Sequence, residues 1–180
     1  MEEKVEQTQA KTFPWGALAI YLGVVFASAI IEGFVFNEVP LEGFGADSII
    51  AVGVIGIIVG ALILFIGTMF QYVFIKFPTQ WVAKDEHVYK YDIWSALFLS
   101  NAVSVVLSFI IDQIGYGENL FIAAIASLIT TVLFLFFYFS GEEKERHVKR
   151  AMMIVRITWF VIGVVLLSAI QVLISNMSIY

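Results

Sequence analysis

Cysteine is absent from this 180-residue chain. That absence excludes a disulfide framework, a thiol nucleophile, cysteine-ligated zinc, an iron–sulfur cluster and covalent c-type haem. Charge is scarce too, at 14% of residues, where an ordinary soluble domain carries about 25%. No excess of basic residues exists, since the formal net charge is −5, and nucleic acid is therefore not an expected partner. A nucleophile elbow, a metalloprotease helix, a phosphate loop and a conventional acid–base pair are all missing. An enzyme is not expected, nor a resident cofactor or metal.

What fills the chain instead is apolar side chain. Residues of that kind make up 61% of the sequence, and mean hydropathy is +0.93. Too little polar surface remains to cover a core in water, and disorder requires the opposite composition. The reading is an integral membrane protein.

A bilayer core about 30 Å thick takes about 20 mostly apolar residues per helix. Five stretches qualify, at about 13–36, 48–75, 93–112, 119–140 and 151–174. Each exceeds the ~10 residues of a membrane strand and lacks strict alternation, so helices are expected. The fold class is all-α and polytopic, with residues 1–12 as a tail and 13–180 as one five-helix domain. Residues 77–91, with Pro78 near the start, read as a short interfacial segment.

Basic residues set the expected orientation. Lys4, Lys11, Lys76, Lys84, Lys90, Lys144, Arg146, Lys149 and Arg150 fall in or beside the tail, the second loop and the fourth. Arg156, slightly inside the fifth span, reaches the same side by snorkelling. The other two loops hold Glu38, Glu42, Asp47 and Glu118 without lysine or arginine. The positive-inside rule then puts the N-terminus in the cytoplasm and the C-terminus outside, in the plasma membrane. Ala27-Ser28-Ala29 fits a signal-peptide cleavage pattern, but residues 1–12 carry three glutamates against two lysines. A signal peptide begins positively charged, so an uncleaved first span is expected. Trp15, Trp81, Tyr89, Tyr91, Trp94 and Trp159 sit as interfacial anchors on the basic side.

Parts of the chain resemble one another. Ser28-Ala29-Ile30-Ile31-Glu32 parallels Ser108-Phe109-Ile110-Ile111-Asp112, and Gly43-Phe44-Gly45 parallels Gly115-Tyr116-Gly117. Either a helical hairpin has been duplicated, or Val/Ile-rich spans match by composition; the turns are the better evidence for duplication.

Few residues are left to carry chemistry. Glu32 and Asp112 are acids at the outer ends of spans, where they would bind a cation, relay a proton, or simply reach headgroups and water. Ser100, Ser104 and Ser108 recur every four residues before Asp112, with Asn101 beside them, as a candidate polar path or a helix-packing face. Gly53, Gly60 and Gly67 stand at heptad spacing in the second span with Gly56, while Ala19, Gly23 and Ala27 form a small-residue seam in the first. These two spans are expected to pack together. In the loops, Glu143 and His147 share a helical spacing, but no second histidine supports a metal site there.

Ile114-Gly115-Tyr116-Gly117-Glu118 resembles the selectivity filter of potassium channels over five residues. A filter presents rings of backbone carbonyls from four loops. Here Gln113 replaces the filter threonine and no separate pore helix precedes the turn. A glycine–aromatic turn at the interface explains the pattern more cheaply.

The leading functional expectation is a non-catalytic membrane subunit or accessory protein, held by lipid and by other subunits or copies of itself. The alternative is a small oligomeric transporter or channel for a cation or proton, using Glu32 and Asp112.

Overall fold

The structure, a computed structural model, describes residues 12–32, 46–117 and 119–177. Its described part is all helical, with α1 Trp15–Ile31, α2 Ala46–Ala83, α3 Lys90–Gln113, α4 Leu120–Phe139 and α5 Arg146–Met177. No strand occurs among the described residues. Four helices are long and apolar enough to cross a membrane. The fifth, α1, has 17 residues, about 26 Å at 1.5 Å per residue, at the lower limit for a span.

Helix ends follow from local chemistry. Gly115 takes φ +77°, a left-handed value that costs glycine nothing and other residues about 1–2 kcal/mol. Its N–H reaches the Asp112 carbonyl at 3.0 Å, and the Tyr116 N–H reaches the Ile111 carbonyl at 3.0 Å. These two bonds are the Schellman stop of α3. The Gly-Tyr-Gly sequence is therefore a helix terminator, and its likeness to a channel filter goes no further. Gly43-Phe44-Gly45, its counterpart in the sequence, lies outside the described residues. Asn119 then starts α4, its side chain accepting from the N–H groups of Phe121 and Ile122 at 3.0 and 3.2 Å. Asn119→Ala is expected to cost about 1 kcal/mol, read as a lower unfolding midpoint in mixed micelles; an unchanged midpoint would show the cap to be idle.

The second helix differs from expectation. Residues 77–83, read as an interfacial segment, continue α2 straight through Pro78. Proline has no N–H, so the Phe74 carbonyl four residues back lacks its intrahelical donor. Trp159 of α5 supplies one: its indole N–H donates to that carbonyl at 2.9 Å, and its ring meets Phe74 edge-on at 5.3 Å. A side chain from a neighbour thus satisfies what the proline left open.

The third helix is the centre of the bundle, packed against α1, α4 and α2. Ile93, Ala96, Leu97 and Phe98 are fully buried on it. One cluster joins Leu97 to Phe134, Tyr138, Val148 and Met152 of α4 and α5. Another joins Phe98 and Ala102 to Tyr21 and Val25 of α1 and Ala61 of α2. Trp94, read as an interfacial anchor, stacks inside this second group, 4.3 Å from Tyr72 and 5.3 Å from Phe98.

The small-residue seams are used differently from expectation. Helix α1 does touch α2, but through Tyr21, Val25 and Ala61, and it lies mainly along α3. A Cβ placed on Gly23, Gly56, Gly60 or Gly67 would meet nothing within 4 Å. Ala19 and Ala27 are exposed. The aromatic faces of Tyr21 and Phe98 bury more area than two facing glycines, so they set the contact. Gly53 lies on α2 where surroundings are outside the described residues.

Candidate functional site

Helices α2, α3, α4 and α5 line a half-open cavity of about 580 Å³. Its lining is unusually polar for helices of this composition. From α3 come Asn101, Ser104, Ser108 and Asp112; from α4 Ser127, Thr130 and Thr131; from α2 Gln71; and from α5 Arg156. Phe70, Phe74, Trp159 and Phe160 form an aromatic wall. Along α3 the lining runs from Asn101 to Asp112, about 16 Å at 1.5 Å per residue.

The structure brings part of the predicted polar path together. Ser104, Ser108, Asn101 and Asp112 all face the cavity. Ser100 does not: it is fully buried and donates to the Leu97 carbonyl at 3.3 Å. A four-residue repeat overshoots a 3.6-residue turn by about 40°, so the serine ladder winds from the packed core at Ser100 to the cavity at Asp112. Glu32 is exposed at the C-cap of α1 and takes no part in the lining. The two carboxylates therefore do not share a site.

Polar groups at one wall are tied to one another. Asn101 donates to the Gln71 Oε1 at 3.0 Å and to the Thr68 hydroxyl at 3.2 Å. The Thr68 and Tyr21 hydroxyls meet at 3.3 Å, and Thr68 also donates to the Leu64 carbonyl at 2.9 Å. This chain links α1, α2 and α3 and fixes the amide of Asn101 at the cavity wall. At the other extreme, a Cβ on Gly117 would collide with the Asp112 carboxylate. Glycine at that turn leaves Asp112 its place at the cavity's exposed end.

Sequence reasoning left one charged residue out of this lining. Arg156 turns toward α4 and lies across the Phe134 ring, with its guanidinium carbon 4.1 Å from the centroid. Its Nε is enclosed and has no hydrogen-bond partner. No carboxylate lies within ion-pair reach of it among the described residues. An arginine inside a membrane helix costs at most about 2.5–3.5 kcal/mol on insertion scales, the value at the helix centre. A desolvated cation–π contact offsets about 2 kcal/mol, and leaves the enclosed Nε unmet. The α4 stripe was legible in the sequence. Ala123, Ala126, Ser127, Thr130 and Thr131 follow the i, i+3, i+4, i+7, i+8 pattern of one helix face.

A second polar cluster ties together the α2–α3 and α4–α5 loops. Lys144 Nζ lies 2.8 Å from Asp92 Oδ2 and donates to the Glu142 carbonyl at 2.9 Å. The rings of Tyr138 and Tyr89 flank it at 4.6 and 5.1 Å. Tyr138 in turn donates to the Val88 carbonyl at 3.1 Å. Nearby, His147 faces Asp85 through Nε2 at 3.2 Å and Glu145 through Nδ1 at 3.3 Å. The His87 backbone N–H, with His147, holds the Asp85 carboxyl below its usual range. Asp85, Glu145 and His147 are close enough to hold a metal ion. In the arrangement present, however, each imidazole nitrogen faces a different carboxylate, as in an ion-pair clasp. Glu143, the partner that helical spacing suggested for His147, is absent from the cluster.

No known protein family, curated protein or solved structure matches the chain.

Proposed function

We propose that this is a five-span protein of the plasma membrane, N-terminus in the cytoplasm and C-terminus outside, that carries a small polar solute through the α2–α5 cavity. The observation that carries this reading is the cavity lining. Hydroxyls, amides, a carboxylate and a guanidinium converge between helices that are otherwise apolar. Polar groups inside a membrane domain face a water-filled space or a ligand, because lipid satisfies none of their hydrogen bonds. The basic residues gathered at one end of the bundle support the orientation. Within this reading Asp112 guards the exposed end, and Glu32 has no role in the path.

The cysteine-free sequence makes the test clean. Single cysteines at Ser104 and Ser127 are expected to react with membrane-impermeant thiol reagents in sealed vesicles. Cysteines at Val132 and Val161, exposed on the outside of the helices, are expected to stay unlabelled. Equal protection at all four positions would rule out a wet cavity.

A second reading, a non-catalytic subunit bound to other membrane chains or to its own copies, draws on α2. Open space faces Gly56, Gly60 and Gly67, and such a seam admits another helix backbone closely. Purification in mild detergent as a stable assembly, lost on Gly60→Leu, is the expected result under that reading. A monomer in both forms would oppose it.

A further inference from the structure

We propose that the cavity takes an oxyanion, a phosphate or carboxylate group, with Arg156 as its anchoring residue. The inference rests on the solute-binding reading and names the class of solute. Three features point to it. Arg156 is the cation lining the cavity, and its Nε is enclosed without a partner. Asp112, the acid of the lining, belongs to the C-terminal turn of α3, whereas Arg156 lies against Phe134, about three quarters of the way along α4. The hydroxyls of Ser127, Thr130 and Thr131 lie on the α4 face that lines the same space. Thr130 donates to the Ala126 carbonyl at 2.9 Å, so its proton is engaged, while Arg156 brings a planar fork of donors that matches two oxygens of one anion. The same cation repels a metal ion or ammonium, so cation passage is disfavoured. Phe70, Phe74 and Trp159 give the rest of the space an apolar wall, suited to a short hydrocarbon body behind the anionic group. Free anions and the phosphate of a lipid headgroup share this chemistry.

The experiment uses full-length protein with the single substitution Ser104→Cys in phosphatidylcholine vesicles. Two methanethiosulfonate reagents of similar size are compared, one anionic and one cationic. A fixed charge in a low-dielectric cleft raises counter-ion encounter by about tenfold or more. The anionic reagent is therefore expected to react about tenfold faster relative to the cationic one than it does at Tyr116→Cys, which sits in an exposed turn. That preference is expected to vanish in Arg156→Gln and to persist in Arg156→Lys. Inorganic phosphate or acetate slowing the labelling would identify a free anion. Slowing only when phosphatidylglycerol replaces part of the phosphatidylcholine would identify a lipid headgroup. Absence of slowing by any of them overturns the proposal, and this arm needs no substitution at Arg156. Labelling by both reagents without charge preference overturns the anion assignment while leaving a wet cavity standing. Labelling by neither removes the cavity reading itself.

Discussion

Asp92→Ala is expected to destabilise the protein by about 3–5 kcal/mol, the usual consequence of stranding one member of a buried ion pair. The side chains of Lys144 and Asp92 are 0% and 8% exposed, so water offers the stranded ammonium little relief. Asp92 also accepts from the Glu142 N–H at 3.3 Å, and its loss frees the α4–α5 turn from the start of α3. Replacing both partners, as Asp92→Asn with Lys144→Met, removes the charge together with its counter-charge and is expected to recover most of the loss. Denaturation in mixed micelles reads both effects. If the single and double substitutions cost the same, the pair is not coupled. Gly141 belongs to the same device. A Cβ there would lie 2.6–3.0 Å from the Asp92 carboxylate atoms, so Gly141→Ala is expected to be destabilising in wild type and milder once Asp92 is gone.

The second large effect concerns Trp159. Trp159→Phe keeps an aromatic ring against Phe74 but removes the indole N–H, leaving the Phe74 carbonyl without a donor. An unsatisfied backbone acceptor costs about 1–3 kcal/mol, and in the bilayer proposed for this chain lipid cannot substitute for the lost partner. Pro78→Ala restores a backbone N–H at the position where helix geometry aims it at that carbonyl. Trp159→Phe is therefore expected to cost markedly less in the Pro78→Ala background. Equal costs in the two backgrounds would separate the tryptophan from the proline.

These two devices show where the sequence was readable and where it was not. The all-helical class and the approximate position of every long apolar helix follow from composition and run length, which are local properties. Gly115 and Asn119 were likewise legible, because a left-handed stop and a side-chain cap each involve residues only a few positions apart. Pairings across the bundle were not. Lys144 sits in a mixed-charge run that reads as a solvated loop, and nothing near it in sequence announces Asp92, which is 52 positions away. Trp159 reads as an interfacial anchor until α5 is laid beside Pro78. The α1–α2 seam failed for a related reason: glycines permit close approach, but the large faces of Tyr21 and Phe98 decided which helices meet. In the polar lining, the serines of α3 were found because they precede an acid at a fixed repeat. Arg156 was not read as part of the lining, because a basic residue near a span end has two destinations, the interface or the interior. Only the Phe134 ring, brought against it from α4, marks the inward course.

Hydration of the α2–α5 cavity is the point on which the proposed function depends, and it can be measured without knowing the solute. A nitroxide attached at Ser104→Cys, with the protein in bilayers prepared in heavy water, reports nearby deuterium through the depth of its spin-echo modulation. The predicted result is a modulation at position 104 close to that at Tyr116→Cys in the exposed turn, with a shallow one at Val132→Cys facing outward. A position 104 as dry as position 132 would contradict it.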